Sequence, residues 1–152
     1  MRKFHKVQTA FGAAFDVLKE SFAGTQSLSN GKILLATVKD DVHDIGKNIV
    51  KVLLENYGYE IVDMGKDVPP EAIVSTVREQ NIKLVGLSAL MTTTVKSMKE
   101  TIDALRESGS FAKVMVGGAV LTPEYAELVG ADFYARVAKD GVTVAAKVFS
   151  AL

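Results

Sequence analysis

The sequence has no cysteine, so it cannot form a disulfide, bind a metal through thiolates or use a cysteine nucleophile. It also has no charge excess: 18 Lys and Arg residues balance 18 Asp and Glu residues, which excludes the strong field that attracts nucleic acid or an acidic membrane. No apolar run reaches the roughly 20 residues that cross a bilayer, and the basic start at residues 1–6 lacks the apolar core of a signal peptide. Together these absences agree with a cytoplasmic protein.

Two phosphate-binding patterns are missing as well. Neither Gly-x-Gly-x-x-Gly nor a Gly-Lys-Ser/Thr loop occurs, which disfavours a dinucleotide or nucleoside triphosphate site. What remains is a chain of 152 residues, 48% apolar and 24% charged, a composition typical of one globular domain with a buried core.

From residue 31 onward, apolar strand patterns alternate with amphipathic helix patterns. Short strands rich in Val, Ile and Leu, each followed by a helix, predict a parallel sheet covered on both faces. Right-handed crossovers favour the doubly wound, flavodoxin- or Rossmann-like strand order 2-1-3-4-5. We therefore predict an α/β fold with five strands, at residues 33–38, 59–64, 83–88, 113–116 and 131–134.

The N-terminal segment has a different pattern. Residues 4–22 place apolar side chains at spacings of three and four, which predicts one extra helix ending near Gly24, followed by a polar linker. We therefore divide the chain into residues 1–30, the helix and linker, and residues 31–152, the ligand-binding domain. The aromatic face of this helix packs either on its own domain or on a partner, and it includes Phe4, Phe11, Phe15 and Phe22.

The residues suited to chemistry all follow strands, at the edge where sheets of this kind bind ligands. Asp41 and His43 follow the first strand, and a run rich in hydroxyls at residues 88–94 follows the third. Residues 117–119 follow the fourth strand and residues 134–135 the fifth. This distribution along one edge indicates a single extended ligand.

His43 is the strongest candidate for a metal ligand, because the nearby carboxylate of Asp41 can fix its tautomer and raise the basicity of the coordinating nitrogen. The alternative is a loop histidine that is merely hydrogen-bonded. Thr94 also allows two interpretations, since its hydroxyl can cap the helix that begins there. Zinc is poorly supported, because one His and carboxylates fall short of its usual nitrogen- and sulfur-rich ligand set.

Three elements in register resemble the signature of the cobalamin (vitamin B12)-binding domains of corrinoid-dependent methyltransferases. The elements are Asp41-x-His43-x-x-Gly46, Ser88-x-Leu90 and Gly117-Gly118. The gaps between them, residues 47–87 and 91–116, fit the family's spacing. Residues 41–50, which read DVHDIGKNIV, resemble the branch that includes methionine synthase and the methyltransferase corrinoid proteins.

The resemblance implies a bound corrinoid whose own benzimidazole base is displaced from cobalt. His43 would replace that base as the lower axial ligand, and Asp41 would bind the other ring nitrogen. Thr94 stands where methionine synthase has the Ser that completes this ligand relay. Such a network can take up a proton when His43 leaves the metal, and can thereby tune which state of cobalt is favoured.

The resemblance also implies a slot between sheet and helix for the displaced nucleotide tail. Ser88 and Thr92 would line this slot and Leu90 would pack along it, while the glycines of the signature would leave room for the tail. Further cofactor-binding residues implied by the family are Asp44, Ile45, Ala119, Tyr134 and Ala135.

The implied function is that of a methyl carrier, in which cobalt holds a methyl group as methylcobalamin between methyl-donor and methyl-acceptor methyltransferase domains or subunits. The chain alone is not expected to turn over, because no substrate-activating site is visible. Family members carry a four-helix cap ahead of this domain, whereas residues 1–30 hold one predicted helix. We therefore expect another segment or chain to supply the cap, and we expect no nucleic acid or membrane partner.

Two alternatives remain. The same motif would serve a non-catalytic corrinoid-binding protein for storage, delivery or sensing. A phosphoacceptor receiver domain shares the predicted strand order and has an acidic pair after the first strand, as Asp40 and Asp41 are here. It also requires an Asp at the end of the third strand, where this chain has Ser88.

Overall fold

Strands and helices alternate along the chain, as the apolar pattern predicts. The computed structural model describes residues 30–150, so the helix predicted at residues 4–22 lies outside the described residues. The strands are β1 (Lys32–Thr37), β2 (Glu60–Asp63), β3 (Leu84–Ser88), β4 (Lys113–Gly117) and β5 (Phe133–Tyr134). The helices are α1 (Ile45–Asn56), α2 (Pro70–Gln80), α3 (Thr92–Glu107), α4 (Pro123–Val129) and α5 (Ala138–Ser150).

The described strands form one parallel sheet in the order β2-β1-β3-β4-β5, which confirms the predicted doubly wound topology. The register places Thr37 beside Ser88 and Ser88 beside Gly117, so β1, β3 and β4 end at the same edge. The connections that leave β1 and β3 run to opposite faces of the sheet. A crevice therefore opens between them at this edge.

The sheet separates two apolar cores, because alternate side chains of each strand point to opposite faces. Ile33 and Leu35 of β1 pack with Leu54 of α1 and with α5. Leu34 and Ala36 of the same strand belong to the other core, with side chains from α2, α3 and α4. Since both faces are covered, the strand sequences are continuous apolar runs.

Local sequence sets the helix starts. Pro70 occupies the first turn of α2, where a backbone N–H would have no acceptor within the helix, so the missing N–H of proline costs nothing. At the start of α4, the hydroxyl of Thr122 accepts a hydrogen bond from the N–H of Tyr125 (3.1 Å). The helix α3 begins at Thr92. The interpretation of Thr94 as its cap is therefore wrong, because Thr94 already lies inside the helix.

Strands β2, β3 and β5 are shorter than predicted, whereas β1 keeps its predicted length and is shifted by one residue toward the N-terminus. β1 ends at Thr37 because the next residue, Val38, forms an isolated bridge with Val68 instead of extending the ladder. β5 has two residues and pairs with β4 at the border of the sheet. Among the helices of residues 30–150, none is long and apolar enough to cross a membrane.

Candidate functional site

The turn between β1 and α1 carries His43, and a neighbouring loop holds its backbone. Asp40 adopts a left-handed conformation with φ of 71°, which Asp tolerates better than most residues. Its N–H donates to Oδ1 of Asp67 (2.8 Å), and the N–H of Asp67 donates to the carbonyl of Asp41 (2.9 Å). The turn is therefore tied to the loop between β2 and α2.

Asp41 joins the loops that follow β1 and β3. It is completely buried, and its Oδ1 accepts from the backbone N–H (3.0 Å) and from Nδ1 (2.7 Å) of His43. Its Oδ2 accepts from the N–H of Leu90 and from the hydroxyl of Thr94, each at 2.7 Å. Burial raises the pKa of Asp41, but these hydrogen bonds, led by that from Leu90, outweigh burial and lower the pKa from 3.8 to about 2. The carboxylate is therefore ionised at neutral pH.

The contact with Asp41 settles the tautomer of neutral His43. An ionised carboxylate can only accept, so Nδ1 carries the proton and the lone pair lies on Nε2. The side chain is 45% exposed, so this nitrogen is within reach of a ligand. A neutral imidazole held from behind by a carboxylate is the usual form of a metal-ligating histidine. The described residues offer no cluster of three or more His, Cys, Asp or Glu side chains that could hold a metal ion.

Thr94 is the third member of this group. It is buried, and its hydroxyl lies 2.7 Å from Oδ2 of Asp41 and 2.9 Å from the carbonyl of Met91. A hydroxyl has one proton to donate, and the charged carboxylate is the stronger acceptor. The structure thus brings Asp41, His43 and Thr94 into one hydrogen-bonded network.

A cavity of about 710 Å³ opens beside His43 and runs between α1 and the ends of β3 and β4. Its volume lies within the roughly 300–1,000 Å³ typical of small-molecule and cofactor sites. Apolar side chains make up most of its lining, and we call this space the slot. The site residues predicted from sequence that line the slot are His43, Asp44, Ile45, Gly46, Ser88, Leu90, Gly117, Gly118, Ala119 and Ala135.

Four other predicted residues lie outside the lining of the slot. Asp41 and Thr94 are buried behind His43 and connect with the slot through it. Thr92 is exposed at the start of α3, and Tyr134 donates its hydroxyl to the carbonyl of Leu121 (3.0 Å). The structure therefore does not bring Thr92 or Tyr134 to the slot.

The three glycines of the signature have different surroundings. No atom of residues 30–150 lies within 4 Å of a Cβ added at Gly46, so this position borders open space within the described part of the chain. A Cβ at Gly117 would lie 3.1 Å from the carbonyl oxygen of Ala135, and one at Gly118 would collide with the carbonyl of Ala89. Gly118 also has φ of 137°. Backbone packing and conformation therefore require glycine at this position by themselves, and its role toward a ligand stays a prediction.

Sequence analysis missed the floor of the slot. Gly86 lies in the middle of β3, between Leu35 of β1 and Met115 of β4, and all three line the slot. A Cβ on Gly86 would lie 2.5 Å from Cδ2 of Leu35 and 3.1 Å from Cε of Met115, so glycine lets these two side chains close over β3 and form the floor of the slot with it. A glycine inside an apolar strand often marks the close approach of a ligand, and this feature was available in the sequence.

Lys47, on the first turn of α1, was also missed. It is buried, and its Nζ donates to Oδ1 of Asp63 (2.6 Å) and to Oδ1 of Asn48 (2.8 Å). Burial raises the pKa of Asp63, but the hydrogen bonds from Lys47 and from the N–H of Gly65 outweigh burial and lower the pKa. This ion pair fixes the start of α1 to the end of β2, and so fixes the helix that follows His43.

Comparison with known proteins identifies related chains. The family described as B12 binding domain matches residues 31–147. Dimethylamine corrinoid protein 1 of Methanosarcina mazei is 46% identical over 125 residues, which are 81% of this chain and 58% of that protein. The chain therefore spans less than two thirds of the length of this relative.

Two solved structures are similar in both fold and sequence. A novel cobalamin-binding protein from Desulfitobacterium hafniense is 44% identical with a TM-score of 0.75, and the match covers 77% of this chain and 58% of that one. The methanol:cobalamin methyltransferase complex MtaBC from Methanosarcina barkeri is 32% identical with a TM-score of 0.81, covering 88% and 52%. Receiver domains of response regulators are 14–16% identical, a likeness that shows the fold alone.

Proposed function

This chain belongs to the B12-binding domain family, whose cofactor is cobalamin, and we propose that it holds cobalamin base-off, with His43 as the lower ligand of cobalt. The observation that carries the proposal is the 2.7 Å contact between Asp41 and Nδ1 of His43. It occupies one ring nitrogen and leaves Nε2 with a free lone pair beside the slot.

The shape of the slot supports the proposal. A corrinoid ligated by His43 must place its displaced base elsewhere, and that base is an elongated group with an apolar aromatic end. In the described part of the chain Gly46 borders open space, and the slot of about 710 Å³ with its mostly apolar lining leaves room for such a group between α1 and the sheet. The residues present therefore fit the cofactor that the family binds.

Cobalamin, when bound, supplies a cobalt ion that accepts and releases a methyl group. The residues of this chain supply the ligand, the slot and the control of the proton on Nδ1 of His43. Because Asp41 is buried and ionised, it accepts a hydrogen bond from the N–H at Nδ1 and raises the electron density of the ring. Thr94 holds the other oxygen of Asp41, so the carboxylate keeps a fixed orientation toward His43.

The chain acts as a methyl carrier between a methyl-donor and a methyl-acceptor methyltransferase domain or subunit. Two names support this role: one relative is a dimethylamine corrinoid protein, and one similar structure is a methanol:cobalamin methyltransferase complex. These relatives favour the corrinoid-protein branch over methionine synthase. They also favour a small methylated amine or methanol as the class of methyl donor.

Visible spectroscopy with methylcobalamin tests the ligation. With the wild type, methylcobalamin is expected to show the spectrum of a corrinoid whose lower ligand is imidazole in place of benzimidazole. With His43→Ala, that spectrum is expected to be absent. The matched control is His5→Ala, which removes the other histidine of the sequence and keeps the wild-type spectrum. A wild type that leaves the spectrum of free methylcobalamin unchanged contradicts the proposal.

A second assay separates a carrier from a storage or delivery protein. The protein loaded with methylcobalamin is mixed with methyltransferase subunits of the methylamine and methanol systems and with a thiol acceptor. A carrier loses its methyl group at a rate that depends on the added subunit. A protein that keeps the methyl group with every subunit is a binding protein without carrier activity.

A further inference from the structure

Thr37, the last residue of β1, is completely buried next to the turn that carries His43. Its hydroxyl donates to the backbone carbonyl of His43 (3.2 Å). Its own backbone is held by the neighbouring loop, since its N–H donates to the carbonyl of Gly65 (2.9 Å) and its carbonyl accepts from the N–H of Val68 (3.1 Å). The hydroxyl of Thr37 is therefore a fixed support for His43.

The same hydroxyl contacts Ser88, which lines the slot. Thr37 and Ser88 are partners in the β1–β3 register, and their Oγ atoms lie 3.3 Å apart. The carbonyl of His43 can only accept, so the proton of Thr37 points to it and Ser88 is the donor in the contact between the two hydroxyls. Two hydrogen bonds in series thus connect the wall of the slot with the backbone of His43.

We propose that Thr37 is a positioning residue that couples occupation of the slot at Ser88 to the orientation of His43. This inference rests on the proposed function, in which His43 is the cobalt ligand. Asp41 holds the ring and the N–H of His43, whereas Thr37 holds its carbonyl. The turn is therefore held from two sides. The hydrogen bond from Thr37 depends on the position of the Ser88 hydroxyl, and so on the group that lies against Ser88 in the slot.

The first test compares Thr37→Val, which removes the hydroxyl at nearly constant shape, with Thr37→Ser, which keeps it. The measured quantity is the equilibrium constant for ligation by His43, read from the visible spectrum. Two corrinoids are used: cobalamin, and cobinamide, which lacks the nucleotide tail. We expect Thr37→Val to weaken ligation about tenfold with both corrinoids, because the carbonyl of His43 loses the donor that holds it. Thr37→Ser is expected to stay near the wild type.

The matched control is Thr101→Val. Thr101 is also completely buried, and its hydroxyl donates to the carbonyl of Ser97 (2.8 Å) within α3, so it makes the same kind of bond outside the slot. We expect Thr101→Val to leave ligation unchanged with both corrinoids. Urea unfolding of every variant shows whether it is folded under the conditions of the titration.

Ligation of cobinamide by the Ser88→Ala variant distinguishes coupling through Thr37 from simple contact between Ser88 and the nucleotide tail. Cobinamide has no tail to place against Ser88, so a serine that merely lines the slot has no effect on its ligation. Coupling through Thr37 predicts that Ser88→Ala weakens ligation of cobinamide about threefold. The effect disappears when Thr37→Val is already present, because the connection is then broken.

The outcomes separate this inference from the proposed function. A failed proposed function appears in the wild type itself, as an unchanged cobalamin spectrum. The inference is overturned if the wild type ligates cobalt and Thr37→Val ligates it equally well, or if Ser88→Ala leaves ligation of cobinamide unchanged. If Thr37→Val does not fold, the result with Ser88→Ala and cobinamide decides alone.

Discussion

Oδ1 of Asp41 accepts a hydrogen bond from Nδ1 of His43 at 2.7 Å, and the accepting carboxylate is completely buried. Burial alone would favour the neutral acid, but the donors around Asp41 hold its pKa at about 2. The negative charge of this residue therefore determines which nitrogen of His43 is free. The effect of that charge can be measured on ligation when the cofactor is present and on stability when it is absent.

Asp41→Asn keeps the size of the side chain but removes its charge. The NH₂ group of the new amide is itself a donor, and it replaces an oxygen that accepts hydrogen bonds in the wild type. We expect ligation of cobalt by His43 to weaken about 10–100-fold, the usual effect of losing such a partner. Titration with methylcobalamin measures it. The control is Asp103→Asn, which changes an exposed carboxylate paired with Lys99 (3.0 Å) and leaves ligation unchanged. Equal ligation by Asp41→Asn and the wild type would refute the role of the charge.

The lowered pKa of Asp41 predicts how stability depends on pH. The pKa in the folded state, about 2, is below the ordinary 3.8, so the native state binds fewer protons than the unfolded state between these values. The stabilisation is fully present above about pH 4 and is lost as the pH falls toward 2. It amounts to roughly 2 kcal/mol of unfolding free energy, of which roughly half is lost by about pH 3.

Urea unfolding of the cofactor-free protein at about pH 6 and about pH 3 measures this loss. Asp63 also has a lowered pKa and loses stability in the same direction, so the comparison is between the wild type and Asp41→Asn, which share Asp63. The stability advantage of the wild type should shrink by about 1 kcal/mol at the lower pH. An advantage that stays constant with pH would show that the pKa of Asp41 is not lowered in the folded protein, and an advantage that grows at the lower pH would show that the folded protein holds the neutral acid.

Thr94→Val and Thr94→Ser test the hydroxyl that holds Asp41. The valine variant removes one donor from a buried carboxylate, so we expect a loss of about 1–2 kcal/mol in unfolding free energy and a several-fold weaker ligation by His43. The serine variant keeps the donor and should recover most of both losses. If the two variants behave alike in both assays, the hydroxyl that distinguishes them does not contribute to stability or to ligation by His43.

Gly86→Ala tests the floor of the slot. The added Cβ would press on Leu35 and Met115 and narrow the space between α1 and the sheet. We expect affinity for complete cobalamin to fall about tenfold while affinity for cobinamide, which has no tail, stays near the wild type. Urea unfolding checks that the variant is folded. An equal loss with both corrinoids would show that the tail does not reach Gly86.

The fold could be predicted because its determinants are local. Apolar runs such as residues 33–37 alternate with amphipathic helices, and right-handed crossovers leave few strand orders open. The positions of Asp41 and His43 could be predicted for the same reason, since residues that directly follow a strand must lie at one edge of the sheet.

The missed residues depend on contacts between strands. Gly86 forms the floor because the register places it between Leu35 and Met115, and Thr37 connects His43 with the wall of the slot because the register places it beside Ser88. Register is set by packing across the sheet, so no single strand sequence contains it. The same applies to Gly118, whose requirement for glycine comes from the backbone of Ala89.

The most direct measurement of ligation by His43 is electron paramagnetic resonance of the protein loaded with the paramagnetic cobalt(II) form of cobalamin. An axial ¹⁴N ligand splits each cobalt line into a triplet, and an axial ¹⁵N ligand splits it into a doublet. We predict triplets in unlabelled protein and doublets in protein labelled with ¹⁵N-histidine, with the doublets kept in His5→Ala and lost in His43→Ala. Triplets that persist in the labelled wild type would show that the benzimidazole of the cofactor is still the ligand, and would contradict the account.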